Sequence, residues 1–171
     1  MIIKSQQEWD RLPLNWWDRC VIDEPIRIFA NSLITIPDLS CGIMINNYHS
    51  LFIEEGFCCL KQPLEHTVAT GDTKVILFGG NLSLYLRAKC TCYAGYVKAY
   101  DNSQLTSFGT SRADCYNQSV VRAWDESIVS AMDSSTINAG DYYNDKVTVR
   151  NFGGNTTLVC KKNTKVVQCG S

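Results

Sequence analysis

From Val97 to Asn144 the alternation of apolar and polar positions repeats every eight residues without a slip. First positions read Val97, Leu105, Ala113, Val121, Val129 and Ile137, and third positions read Ala99, Ser107, Cys115, Ala123, Ala131 and Ala139. Fifth positions are Asp101, Gly109, Asn117, Asp125, Asp133 and Asp141; seventh positions are Ser103, Ser111, Ser119, Ser127, Ser135 and Tyr143. An aliphatic residue and a small one, two apart, share one face of a short strand. The Asx or Gly that follows, then Ser, supplies a turn, because Asx side chains bond the local backbone and tolerate left-handed dihedrals.

A strand this short cannot bury its apolar face alone, but stacked copies can. The expected fold is therefore all-β: a single-stranded parallel β-helix, or β-solenoid, with an eight-residue repeat. A looser form extends upstream through Ile26/Ile28, Ile34/Ile36, Ile43/Ile45 and Leu51/Ile53, then Val68/Thr70, Ile76/Phe78, Leu84/Leu86 and Cys92/Ala94. Downstream, Val147/Val149, Leu158/Cys160 and Val166/Gln168 continue it after insertions. Eight extended residues span roughly 26 Å, one side of a coil. Three sides of 24 residues per turn are the favoured geometry, and two sides of 16 are the alternative. The step from Cys92 to Val97 implies one shortened corner.

Residues 1–20 break the pattern and form a separate N-terminal capping region; residues 21–171 form the solenoid, within one domain overall. Ser5 and Glu8 have capping-box spacing, and Trp9, Leu12, Trp16 and Trp17 fall near one side of a helix interrupted at Pro13. Such a helix would plug the open end of the coil and cover strand-edge groups. Lys161, Lys162 and Lys165 would guard the other end.

A net charge of −1 with scattered charges indicates neither a phosphate-tracking surface nor a nucleic-acid mimic. No apolar run has the length of a membrane span, and the first residues lack a signal peptide's apolar stretch, so the expected compartment is a cytoplasm. Nine cysteines are an odd number for a disulfide framework and read as thiols. Cys115 and Cys160 fall in the small interior column, and Cys90, Cys92 and Cys169 also fit inward registers. No cofactor and no metal site is expected, since Cys90-Thr91-Cys92 has no second pair at finger spacing.

The chain reads as non-catalytic. Its two histidines, His49 and His66, accompany no nucleophile elbow, and the turn aspartates lack the glycine-rich calcium-binding consensus. The outward second column, from Lys98 to Asn138, has no focused acidic groove of the kind a carbohydrate-active β-helix enzyme needs.

The fourth column is more informative: Tyr100, Phe108, Tyr116, Trp124, Met132 and Gly140. These positions alternate with the lining and are expected to face solvent, either as stacked ladders or as an interface. Three sides would stack Tyr100 on Trp124; two sides would stack Tyr100 on Tyr116 and Phe108 on Trp124. Tyr142, Tyr143 and Phe152 lie in two insertions that lengthen successive connections, where solenoids often carry recognition. Tyr100, Phe108, Tyr116, Trp124, Tyr142, Tyr143 and Phe152 are therefore the candidate binding residues.

The run Val121-Arg-Ala-Trp-Asp-Glu-Ser-Ile, continued through Val129-Ser-Ala-Met-Asp-Ser-Ser-Thr, resembles the V-x-A-aromatic-(D/G/N)-x-S-x octads of short β-helical proteins of unassigned function, associated with bacteriophages and their hosts. The resemblance covers mainly residues 97–144 and carries no catalytic motif; Gly109, Asn117 and Tyr143 depart mildly from the consensus. It implies a phage-encoded accessory protein or host-defence inhibitor acting in the bacterial cytoplasm on a host protein target. A small-ligand, nucleotide-sequestering protein is the alternative, and a carbohydrate-active enzyme a third. Homo-oligomerisation stays open, and neither nucleic acid nor membrane is an expected partner.

Overall fold

The computed structural model describes residues 2–11, 20–22, 26–36, 43–45, 51–60, 67–140 and 145–169, with side chains placed for 2–11, 67–140 and 145–169. The chain opens with β1 (Ile2–Ile3), α1 (Gln6–Asp10), β2 (Cys20–Ile22), β3 (Ile26–Ile36), β4 (Ile43–Ile45) and β5 (Leu51–Leu60). Then come β6 (Thr67–Ala69), β7 (Lys74–Leu77), β8 (Asn81–Leu84), β9 (Lys89–Cys92), β10 (Tyr96–Ala99) and β11 (Gln104–Ser107). The octads supply β12 (Arg112–Cys115), β13 (Val120–Ala123), β14 (Ile128–Ala131) and β15 (Thr136–Ala139). The last three strands are β16 (Thr148–Asn151), β17 (Thr157–Cys160) and β18 (Lys165–Gln168).

Every described pairing is parallel, and from β6 onward each strand pairs with the second strand along. Val97 lies opposite Ala113, and Leu105 opposite Val121, 16 residues apart. The solenoid is therefore two-sided: even strands stack on one face, odd strands on the other, and β6 to β17 make six coils. This corrects the three-sided expectation. A strand of four residues with a four-residue corner reverses the chain completely, and Ala, Ser and Cys linings let the two faces approach closely. The ten-residue β5 spans both faces, pairing through Leu51–Ile53 with β6 and through Phe57–Leu60 with β7.

First- and third-column residues from Val97 to Ala139 are buried, as their alternation requires. The seventh column is buried as well: Ser103, Ser111, Ser119, Ser127 and Ser135 are fully inaccessible. These serines close the corner, each backbone N–H donating to the fourth-column carbonyl of its own octad, as from Ser103 to Tyr100 at 3.1 Å. Their small side chains then turn inward, giving three lining residues per octad instead of two.

Upstream the expected register is wrong. Buried positions are Thr67/Ala69, Val75/Leu77, Leu82/Leu84 and Cys90/Cys92, whereas Val68 and Ile76 are only half-buried and Phe78 and Leu86 are exposed. The coil here is 15 residues long, with Val75 opposite Cys90 and Leu82 opposite Val97. Two corners are shortened, not one, and glycine makes both possible. Gly80 and Gly95 hold φ of +84° and +113°, and a Cβ on Gly95 would lie 2.6 Å from the Gly80 carbonyl oxygen.

At the N-terminus Ser5 caps α1, accepting the Glu8 amide at 3.3 Å, while the Glu8 carboxylate accepts the Lys4 amide at 2.6 Å. β1 pairs with β3, and Ile3 and Trp9 are buried within the core cluster. Trp16, Trp17, Leu12 and Pro13 lie outside the described residues. At the other end the lining opens, with Leu158 and Cys160 half-buried and Val166 exposed.

Candidate functional site

Fourth-column residues directly follow their strands, begin the corners and sit at the two narrow edges of the flattened coil. Because two corners complete a turn, alternate octads send this residue to opposite edges. The expected single aromatic column is thus two ladders. On one edge Phe78, Tyr93, Phe108 and Trp124 stack in order, with centroids 5.1, 5.4 and 6.2 Å apart and planes within 15°. On the other, Tyr85, Tyr100 and Tyr116 stack with both steps at 4.8 Å.

Backbone bonds hold the rings in register. The Phe108 amide donates to the Cys92 carbonyl at 2.8 Å and the Trp124 amide to the Ser107 carbonyl at 2.9 Å, fixing a ring on each rung. Ring faces are largely turned towards each other, leaving ring edges to the solvent. Phe78 and Tyr93 are the most accessible members of the first ladder, at 46% and 44%.

Of the predicted binding residues, Phe108 and Trp124 share one edge, and Tyr100 and Tyr116 the other. Phe152 continues the tyrosine edge beyond Met132, since its amide donates to the Ala131 carbonyl at 3.0 Å, where Met132 begins the corner one rung below. Its loop is pinned by Asn151, whose Oδ1 accepts from the Gly153 amide at 3.1 Å and the Thr156 hydroxyl at 2.9 Å. Tyr142 and Tyr143 lie outside the described residues. Gly140 and Asp145, the described residues on either side of them, belong to the Trp124 edge.

Sequence reasoning missed Phe78, Tyr85 and Tyr93 because it held to a period of eight. Aromatic residues 15 apart, at 78, 93 and 108 and at 85 and 100, were the available signal.

The fifth-column aspartates have a structural task. Asp101, Asp125 and Asp133 take φ of +55°, and their carboxylates accept the amides of Leu86, Gly109 and Asn117 on the preceding coil at 3.0, 2.8 and 3.1 Å. Asp145 takes over this role after the insertion, accepting the Asp125 amide at 2.9 Å. Each carboxylate therefore staples one corner to the next.

The described interior thiols hold their protons tightly. Burial pushes Cys90 and Cys115 well above the usual 9.0, and Cys92 up to about 12 against the smaller opposing effect of hydrogen bonds with Ser111 and Ala94. Cys169 does not face inward: its amide bonds the Asn151 carbonyl at 2.7 Å, placing it in the corner column above Phe152. On the even face Tyr96 donates to the Asp114 carboxylate, and desolvation followed by this bond raises the phenol's pKa. Lys98 lies 5.8 Å from the same ring's centroid. Among the described residues no three His, Cys, Asp or Glu side chains converge as metal ligands do. No described helix is long and apolar enough to cross a membrane.

No protein-family model, curated protein or solved structure matches this chain.

Proposed function

We propose that the chain is a non-catalytic binding protein that engages a partner protein along the edge formed by Phe78, Tyr93, Phe108 and Trp124. The observation that carries this reading is the ladder itself, a strip of aromatic edges on a regular backbone whose first two rings, Phe78 and Tyr93, are almost half exposed. Preordered aromatic side chains lose little entropy on association, and Tyr and Trp dominate interface energetics. Buried thiols and aspartates committed to corner bonds favour binding over chemistry. The phage context and a host-defence target rest on the octad resemblance alone.

A photo-reactive phenylalanine analogue at position 78 or 93 should crosslink a defined host protein in bacteria producing the chain. The same analogue at position 150, exposed on the even face in β16, should not. Equal labelling from all three positions, or from none, would count against the aromatic edge as the contact surface. Phe78→Ala combined with Tyr93→Ala should weaken the captured complex by at least about tenfold, the loss expected from one or two interface hot spots.

A further inference from the structure

Among the described residues, no strand covers the last two of the solenoid. β17 closes the odd face and β18 the even face, and each pairs only with the strand one coil below, β15 and β16. The Thr157 and Lys161 amides donate to the Ser135 and Ala139 carbonyls at 2.9 and 3.0 Å. Successive residues of a strand turn their N–H and C=O groups to opposite sides, so those of Leu158 and Cys160 point to the open edge. The lining is open at the same place. Leu158, Cys160 and Val166 lie in register over buried Ile137, Ala139 and Val149, yet Leu158 and Cys160 are only half-buried and Val166 is exposed.

Charge at this end has one sign. From Val147 to Ser171 the sequence holds no aspartate or glutamate, against Arg150, Lys161, Lys162 and Lys165. Lys162 follows β17 in the corner and Lys165 opens β18 beyond it, and both side chains are exposed. The described side-chain ion pairs, Arg87 with Asp72 and Lys146 with Glu126, use neither. A second copy meeting this end would set lysine against lysine, the arrangement that guards strand edges from self-pairing. A strand carrying negative charge is attracted instead.

We propose that this end of the solenoid takes an extended acidic segment of a partner protein as an added strand on β17. Its backbone pairs with the open N–H and C=O groups of Leu158 and Cys160, and its alternate apolar side chains complete the cover over those two residues and Val166. Its acidic residues lie at the end that reaches Lys162 and Lys165. Main-chain bonds supply affinity in such strand addition, while alternate side chains and charge select the segment. The proposal uses no residue of the ring ladders and stands without the aromatic edge as a contact surface.

The probe is a synthetic peptide of alternating valine and threonine followed by four glutamates. Its controls carry four lysines in place of the glutamates, or N-methylated backbone amides. Isothermal titration of the full chain should show saturable binding of the acidic peptide with a Kd below about 1 mM, and at least about tenfold weaker binding of both controls. Hydrogen exchange read by NMR should slow at the Leu158 and Cys160 amides when the acidic peptide is bound. Lys162→Glu combined with Lys165→Glu changes only exposed side chains and should reverse the preference between the two charged peptides. Cys160→Pro removes an N–H that points to the open edge, leaves the ladder to β15 complete, and should weaken binding about tenfold. The proposal is overturned if the acidic peptide does not bind, if both charged peptides bind equally well, or if binding leaves exchange at Leu158 and Cys160 unchanged. Dimerisation of the chain alone with those two amides protected would also overturn it, since a second copy would then be the occupant.

Discussion

At the scale of single residues, the corner aspartates combine two demands that few side chains meet together. Asp125 adopts φ +55° and accepts the Gly109 amide at 2.8 Å. Alanine at this position loses the bond and bears the left-handed strain, for a combined cost of about 2–3 kcal/mol. Asparagine tolerates the dihedral and keeps an acceptor oxygen, so Asp125→Asn should cost under about 1 kcal/mol. Urea denaturation of the two variants checks this, and equal losses would mean that the corner bond contributes nothing. The thiols make a second residue-scale prediction. Cys92 in the folded chain holds its proton up to about 12 instead of 9.0, so its contribution is intact below pH 9.0 and is lost as pH climbs towards that raised value. The unfolded chain releases the proton first, which favours unfolding. Between pH 8 and pH 10 this one thiol should remove roughly 1 kcal/mol, and Cys92→Ala should flatten the decline by that amount in urea midpoints measured at both pH values.

At the scale of elements, parallel stacking turns one ring per rung into a continuous column. Tyr100 stacks on Tyr85 and on Tyr116, each at 4.8 Å, whereas Tyr85 has one ring neighbour among the described residues. Replacement by leucine keeps an apolar side chain but removes the stacking, worth about 0.5–1.5 kcal/mol per pair. Tyr100→Leu should therefore lose about twice as much stability in chemical denaturation as Tyr85→Leu. Equal losses would assign the ladder's contribution to burial alone. The sequence made strand positions and lining legible across 97–139, because a two-residue alternation inside a fixed repeat leaves no other register. It was silent on the number of sides, since eight residues per side suits two or three, and the 16-residue strand register decides for two. Upstream, Val68, Ile76 and Phe78 drew the expected register off by one because apolar residues there also occupy outward and corner positions. The candidate site was half legible: Phe108 and Trp124 were placed in the outward column and stacked on each other only in the two-sided alternative, while Phe78 and Tyr93 enter through 15-residue coils.

At the scale of the whole molecule, a solenoid holds each coil through its two neighbours, so stability should vary along the axis according to what lies on either side. The middle coils are bounded above and below: Val97, Val121, Val129 and Ile137 are all fully buried. At the start, Ile3 and Trp9 join the core and β1 adds a parallel strand to β3. At the far end, Leu158 and Cys160 of β17 are only half covered and Val166 of β18 is 41% exposed, so the lining there lacks the cover the middle coils receive. Each residue in β17 and β18 thus contributes less burial, while its ordering costs the same conformational entropy. Hydrogen exchange followed by mass spectrometry should show a gradient, with amides of Thr157–Cys160 and Lys165–Gln168 exchanging first and those of β10 to β14 last. If the molecule instead opened as one unit, all strands would exchange at a single rate. That result would mean coupling between coils outweighs the loss of a covering neighbour, and stability could not then be treated as a sum over adjacent coils.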